Sequence, residues 1–301
     1  MKILITGANG QLGTELQRVL HDMRAEIGPL PADYRDAEVV ALDSEGLDIT
    51  DENAVASELS KGYDLVVNAA AYTNVDGCES NGVAADAVNH LGPAHLARAC
   101  EEHGAKLVQV STDYVFPGNE EGERVETDPV KPISAYGRTK LAGEEAVKEL
   151  CSRYFIVRTA WLYGYKGKNF AKTMIRLAKK FGKISVVADQ FGNPTSANDL
   201  AYEILKLALT QEYGVYHCTN NGTCSWFDFA CAVVDLAGIP CEKEPLTSIE
   251  YKQRFPQSAD RPHFSSLKNA HLEATIGDEM RPWEEAVKTY MERLPELGDA
   301  N

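Results

Sequence analysis

The sequence predicts an α/β protein: a doubly wound parallel sheet with a smaller C-terminal α/β domain. Three observations predict it. The chain opens on a short apolar strand, Ile3-Leu4-Ile5, that runs into a glycine-rich turn and an amphipathic helix. Apolar runs of strand length then alternate with amphipathic stretches of helix length, the pattern of βαβ units. Two of these runs end in small or polar residues, Asn68-Ala69-Ala70-Ala71 and Ser111-Thr112-Asp113. In an open parallel sheet that carboxyl edge faces a ligand crevice. At 301 residues the chain can form one large domain or a domain and a half.

Composition narrows the class. Lys+Arg 30 against Asp+Glu 45 gives a formal net charge of −15. So acidic a chain is poorly suited to nucleic acid or an anionic membrane, and an anionic substrate needs a local basic patch. The Cys count is 7, an odd number, with no C-x-x-C pair, which fits reduced thiols better than a disulfide framework or a zinc site. No metal-ligand cluster is read from the sequence. There is no signal-like apolar segment, no run of about 18 apolar residues and no internal repeat. The expected location is cytoplasmic.

After the first strand come Gly7, Gly10 and Gly13, then a helix with Leu12, Leu16, Val19 and Leu20 on one side. Glycines let the backbone turn sharply and approach a pyrophosphate, and the helix N-terminus offers it free N–H groups. The spacing is looser than G-x-G-x-x-G, and steric need alone also produces such turns. Its place directly after an apolar strand favours a dinucleotide. The second strand is predicted over Glu38–Leu42, ending at Asp43. A carboxylate there takes the adenosine ribose hydroxyls and repels a 2′-phosphate, which leans towards NADH. Leu47-Asp48-Ile49-Thr50 leads into a helix from about Asp51, capped by Thr50 or Asp51. Asp48 and Ile49 then lie near the adenine or simply pack the edge.

The third strand carries Leu65, Val66 and Val67, and small Ala69–Ala71 at its end permit close approach of a cofactor. Tyr72, Thr73, Val75 and Asp76 are placed to reach a substrate; Thr73 or Asp76 equally suits a helix cap. A long helix is predicted over about 83–103. Asn89 in its middle either bonds backbone or is exposed. The fourth strand carries Leu107, Val108 and Val110 and ends at Ser111, Thr112 and Asp113. The segment 117–132, rich in Gly, Pro and acid, is predicted to form a surface flap over the pocket mouth.

Tyr136 and Lys140 follow, four residues apart at the start of a helix, and so project from one face. A phenol has an ordinary pKa of about 10. An ammonium one turn away is expected to lower it, so that Tyr136 can hand a proton to a carbonyl oxygen. The bare spacing also occurs on ordinary exposed helices; the glycine loop and Thr112 favour chemistry. Beyond, Phe155–Thr159 is a buried strand with Trp161 and Tyr163 after it. Asn169–Lys180 is a helix with Phe170, Met174, Leu177 and Ala178 inward. Val186-Val187 and Val215–His217 are further strands, and Trp226–Ala237 and Trp283–Leu294 are helices. Arg158, Lys166, Lys168, Lys172 and Arg261 are candidates for a diphosphate. The expected dinucleotide domain spans 1–165, with segments at about 185–225 returning to it; 166–301 is mainly substrate-binding.

The motifs together resemble a known family. Gly7–Gly13, NAAAYTNVD (68–76), STDYVFPG (111–118) and PISAYGRTKLAGE (132–144) resemble the extended short-chain dehydrogenase/reductases, whose core is a Rossmann sheet. RTAWLYGYKGKNFAKTMIRLAKK (158–180), VVADQFGNPTSANDLA (186–201) and RPHFSSL (261–267) are similar to the dTDP-4-dehydrorhamnose reductases within it. The resemblance runs from residue 1 to about 290. It implies Thr112, Tyr136 and Lys140 as the catalytic trio. It implies NADPH or NADH lined by Gly10, Gln11, Leu12, Asp43, Asp48, Ile49, Ala71, Tyr72 and Val110. Thr73, Val75, Thr112, Asp113 and Trp161 would line a dTDP-sugar. The implied reaction reduces the C4 keto group of dTDP-4-dehydro-L-rhamnose to give dTDP-L-rhamnose for cell-surface polysaccharide, with Tyr136 as proton donor. The family tends to carry His where Tyr72 stands. Some members are Mg2+-dependent dimers joined through acidic residues; Glu15 fits that pattern, but the second carboxylate falls near Asn198. A metal-bridged dimer is therefore not expected, and monomer and homodimer both stay open. The alternatives are a reductase or epimerase of another nucleotide sugar, and a non-catalytic regulatory subunit of the methionine adenosyltransferase-associated type. Asp113-Tyr114 after Thr112 disfavours a dehydratase, which needs an added acid/base pair, often Asp-Glu beside that Thr.

Overall fold

The computed structural model describes residues 1–298; the last residues of the expected C-terminal domain, 299–301, lie outside the described residues. In chain order come β1 (Lys2–Thr6), α1 (Gln11–Asp22), β2 (Glu38–Leu42), α2 (Glu52–Leu59), β3 (Leu65–Asn68), α3 (Val75–Ser80) and α4 (Gly82–Asp86). A π-helical turn, Ala87–Leu91, joins α4 to α5 (Gly92–His103). Then follow β4 (Lys106–Thr112), α6 (Ala135–Leu150), β5 (Tyr154–Thr159), β6 (Leu162–Tyr163) and α7 (Phe170–Phe181). Next are β7 (Lys183–Val187), β8 (Phe191–Gly192), β9 (Thr195–Ser196), α8 (Ala197–Ala208) and β10 (Gly214–His217). The remainder is β11 (Cys224–Ser225), α9 (Trp226–Leu236), β12 (Glu242–Leu246), α10 (Ser248–Arg254), α11 (Ala270–Ile276) and α12 (Trp283–Leu297).

Six strands form one parallel sheet in the order β10-β5-β4-β3-β1-β2. Successive side chains of a strand point to opposite faces. Ile3, Ile5, Val67, Val108 and Val157 therefore pack on Leu16, Leu200 and Leu205 on one side. Leu4, Val66, Leu107 and Ile156 pack on Val55, Leu96 and Val147 on the other. Burial on both faces is why these strands read as continuous apolar runs. The order reverses between β1 and β3, the switch point that opens a crevice at the carboxyl ends. Helix starts are fixed by side chains: Asp51 accepts from the N–H groups of Asn53 and Ala54, and Ser134 from that of Gly137.

After β5 the chain leaves the sheet. α8 returns to pack on α1, and β10 completes the sheet beside β5. β7, which holds Val186 and Val187, does not join it; it pairs in parallel with β12. A separate core of Tyr163, Phe229, Val233, Trp283 and Tyr290 fills the C-terminal part. Glu26 ties the two parts. Its carboxylate accepts from Tyr165 Oη at 2.5 Å, Arg281 at 3.2 Å and Arg293 at 3.3 Å.

The segment 117–132 is not a flap over the mouth. Arg124 exchanges backbone hydrogen bonds with Ser266 and Lys268, each 2.8 Å, and the Glu126 carboxylate takes the backbone N–H groups of His217 and His271. These bonds draw it along β10 and the 262–271 stretch, and none of its residues lines the crevice. Gly118, at φ +67, permits the contact: a Cβ there would sit 2.1 Å from Cβ of Pro262.

Candidate active site

A cavity of about 800 Å³ lies at the carboxyl ends of the strands. It gathers Gly7 and every residue that the family resemblance implies for cofactor, substrate and reaction, whereas Gly13, Asp76, Arg158, Lys166, Lys172 and Arg261 do not line it. Gly7 adopts φ +67, and a Cβ on it would stand 2.7 Å from the backbone N of Ala70. A Cβ on Gly13 would stand 2.3 Å from the Gly7 carbonyl oxygen, so Gly13 seats the helix on the turn and touches no ligand space. Gly10 caps α1 without a side chain, leaving Gln11 and Leu12 at an open helix N-terminus. The turn thus has no room for a side chain at residue 7 or 13, and it leaves the N-terminus of α1 open to the cavity.

On the rim, Asp43 is oriented by its own turn. Oδ1 accepts from the N–H groups of Glu45 and Gly46, and Oδ2 accepts from the Asn9 amide. Asp48 accepts from Thr50 N and Oγ1, which holds its carboxyl below the usual range. Ile49 is buried beneath it. Ala71 and Tyr72 follow β3, and Asn89 holds the Tyr72 backbone at both ends: Tyr72 N donates to Oδ1 at 2.8 Å and Asn89 Nδ2 donates to Tyr72 O at 3.1 Å. Of the two sequence readings of Asn89, backbone bonding is the one found. The π-helical turn brings it inside, where an α-helical amide at that position has low propensity.

The candidate reactive groups lie at the end of β4 and at the start of α6. Thr112 Oγ1 donates to Asp113 Oδ1 at 2.9 Å and accepts from Tyr114 N at 3.2 Å. Asp113 is buried and its Oδ2 has no partner. Burial pushes its carboxyl up to about 6, opposed by the nearby Ser265 and Thr112 hydroxyls. Tyr136 opens α6, its ring edge-on to Tyr114 at 5.6 Å. The expectation that Lys140 lowers the Tyr136 phenol is not met. Burial raises it, with Asp113 acting the same way and the Thr112 hydroxyl opposing. The Lys140 ammonium is itself turned to the Val110 carbonyl, 2.7 Å away. Burial depresses Lys140 to about 8, and Glu144 one turn on opposes that.

Thr73, Val75 and Trp161 line the far side, and so does Trp226, read from the sequence only as part of an amphipathic helix. A tryptophan opening a helix after a short polar stretch was the available signal. Neither Thr73 nor Asp76 caps α3; Asn74 does, accepting from Gly77 N at 2.9 Å. Asp76 instead accepts from Ala259 N at 2.8 Å and from Arg261 at 2.9 Å. Of the five basic candidates for a diphosphate, Lys168 lines the cavity. Arg158 is withdrawn: its guanidinium lies buried on Glu144, at 2.9 and 2.7 Å, because a cation in a central strand needs a counter-ion there. Lys172 donates to the carbonyls of Tyr165 and Gly167.

Among the described residues no group of three His, Cys, Asp or Glu is arranged to hold a metal ion. At Glu15, the carboxylate already accepts from Arg18 at 2.5 Å and from Asn198 Nδ2 at 2.8 Å. A guanidinium and an amide N–H there do not fit a cation. No helix among the described residues is long and apolar enough to cross a membrane.

Comparison with known proteins agrees with this geometry. The family model described as the RmlD substrate binding domain matches residues 1–295. The dTDP-4-dehydrorhamnose reductase of Escherichia coli (strain K12) is 39% identical, over 98% of each chain. That of Mycobacterium tuberculosis (strain ATCC 25618 / H37Rv) is 41% identical, over 96% of this chain and 92% of its own. The crystal structure of a dTDP-4-dehydrorhamnose reductase from Clostridium acetobutylicum superposes with a TM-score of 0.90 at 46% identity, covering 98% of this chain and 100% of that one. The Bacillus anthracis reductase, solved in complex with NADP, gives 0.89 at 39% identity, covering 97% and 99%. Nucleotide-sugar dehydratase and epimerase structures, at 19% and 20% identity, share the fold. By family model, by relatives and by structure, the chain belongs to the dTDP-4-dehydrorhamnose reductase family.

Proposed function

We propose that this chain reduces the C4 keto group of dTDP-4-dehydro-L-rhamnose to give dTDP-L-rhamnose. The observation that carries the reading is the convergence of Thr112, Tyr136 and Lys140 on one cavity whose other end is a glycine loop, in a chain of this family. When bound, NAD(P)H supplies the hydride. Gly7 and Gly10 admit its diphosphate, and the N-terminus of α1 faces the negative charge. Asp43 receives the ribose hydroxyls; its carboxylate disfavours a 2′-phosphate, and the cavity's basic residues, Lys140 and Lys168, stand on other segments. NADH is therefore the favoured donor.

Thr112 and Tyr136 hold the substrate oxygen by hydrogen bonds. Burial keeps the Tyr136 phenol protonated, the state required of an acid, and it passes its proton to O4 as negative charge develops there. Lys140, mostly an ammonium at pH 7, takes the cofactor ribose and replaces its bond to Val110 when the phenolate forms. Trp161 flanks the sugar, and Lys168 meets the diphosphate. The relatives act in polysaccharide synthesis where their names state it, as in the spore coat protein SpsK of Bacillus subtilis (strain 168), 37% identical over 97% of each chain. A soluble enzyme fits the reading.

The test follows NAD(P)H oxidation at 340 nm with dTDP-4-dehydro-L-rhamnose, wild type against Tyr136→Phe. The expected result is turnover by the wild type and a loss of about 10²–10⁴-fold in the variant, with cofactor affinity retained. Wild-type turnover in Tyr136→Phe overturns its role as acid. No turnover by a wild type that still binds NADH overturns the substrate.

A further inference from the structure

Trp161 stands in the left-handed region, at φ +46, where a bulky side chain is strained by about 1–3 kcal/mol. Such backbone persists only where its surroundings fix it, and here three contacts do. The Trp226 ring stacks on it with centroids 3.5 Å apart and planes 10° off parallel. Gly192 backs the same indole so closely that a Cβ would lie 2.5 Å from it. Thr195 N donates to the Trp161 carbonyl at 3.2 Å. Trp226 is braced in turn by Phe170, at 4.5 Å, which joins it to the C-terminal core.

The place of this stack matters. Thr159 is in register with Thr112, and Trp161 leaves the sheet two residues later. Both indoles line the cavity and remain half-buried. The stack is therefore a fixed apolar wall on the side of the proton donor. Such a wall suits the C–H face of a hexose ring.

We infer that Trp226 is a specificity-determining positioning residue: it holds Trp161 in its left-handed backbone, so that the stacked pair forms the wall against which the hexose of a nucleotide sugar lies. This deepens the proposed function and rests on it. Nothing in a one-dimensional pattern marks it, because the stack joins residues 65 positions apart.

The experiment compares wild type, Trp226→Ala, Trp226→Phe and Gly192→Ala, the last crowding the indole without removing an aromatic ring. KM for the dTDP-sugar, KM for NADH and kcat are measured alongside tryptophan emission. Of the chain's three tryptophans, Trp283 is buried elsewhere, so emission changes on adding dTDP-glucose beyond those on adding dTDP, which has no hexose, report chiefly on the stack. Trp226→Ala and Gly192→Ala are expected to raise the sugar KM about ten-fold or more and to leave the NADH KM within about two-fold; Trp226→Phe restores most of the affinity. A role confined to stability lowers the melting temperature and leaves the sugar KM alone. A sugar KM within about two-fold of wild type in both variants overturns the inference. If the wild type does not reduce the dTDP-sugar at all, the proposed function fails instead; quenching by dTDP-glucose beyond that by dTDP, lost in Gly192→Ala, which keeps both indoles, then still supports the wall, and such quenching absent from the wild type or retained in Gly192→Ala overturns it.

Discussion

Asp113→Asn should stabilise the ligand-free protein, and more so as pH rises. The Asp113 carboxyl is buried, one oxygen is occupied by Thr112, and the other has no partner. Burial lifts it from its ordinary 3.8 to about 6. The folded state thus holds this proton more tightly than the unfolded chain does. Stability from this group is present in full below the unfolded value of 3.8, is lost as pH rises to about 6, and stays lost above. The full loss is about 3 kcal/mol, an upper bound. Any cost of satisfying the new amide is the same at every pH and cancels in a difference. The assay is urea unfolding of both proteins at pH 4 and pH 8, in dilute solution because the sequence pI is near 4.9. The variant should gain about 2 kcal/mol on wild type between the two pH values. A gap constant within about 0.5 kcal/mol would show that Asp113 ionises freely in the fold, and would refute the argument from its orphaned oxygen. If it opens as expected, the cavity keeps a carboxylate that weakens the empty protein, as sites that await a ligand do.

Three further outcomes are expected. Arg158→Met leaves the buried Glu144 carboxylate with only the Ser111 hydroxyl and the Lys148 ammonium 3.9 Å away, and should cost up to about 3–5 kcal/mol in chemical unfolding, with the sugar KM of the folded fraction unchanged; intact stability with a raised KM would return Arg158 to the substrate. Gly13→Ala drives a Cβ against the Gly7 carbonyl, so calorimetric affinity for NADH should fall about ten-fold and stability by about 1–3 kcal/mol; unaltered NADH affinity would show that the loop does not seat the cofactor. Lys140 loses its proton as pH rises through about 8, so NADH affinity should weaken between pH 7 and 9.5 and stay level in Lys140→Arg, whose guanidinium does not titrate there; parallel profiles for the two proteins would remove Lys140 from the cofactor.

The inner strands of the main sheet were legible because strands buried on both faces must be apolar throughout; β4 was found up to its Ser-Thr end, and the half-exposed edge strand β2 was found at Glu38–Leu42 by its Val-Val-Ala-Leu run. The glycine loop was legible because the tight packing of the turn on the end of β3 demands glycine. Other features depend on partners distant in sequence. Arg158 looks like an anion site until Glu144 is seen beneath it. Asn89 looks misplaced until the π-helical turn is formed. β12, Glu242–Leu246, carries charge and a proline and shows its strand nature only against β7. The Tyr136 phenol departs from expectation because one-turn spacing says nothing of burial, which raises it, while the Lys140 ammonium is turned to the Val110 carbonyl. The segment 117–132 was misplaced because its length and polarity say that it is on the surface and not where.

The last strand of the main sheet has a consequence for how the molecule is made. His217 of β10 pairs with Arg158 of β5, yet everything from Leu162 to Tyr213 is synthesised between them. Until that stretch has left the ribosome, the outer edge of β5 stays open, with bare N–H and C=O groups over a half-formed core. An open edge is a template for another chain. A fragment ending near residue 165 should therefore be an aggregating nascent chain rather than a free-standing nucleotide-binding module, and the cell must shield that edge for the seconds that the intervening residues take to appear.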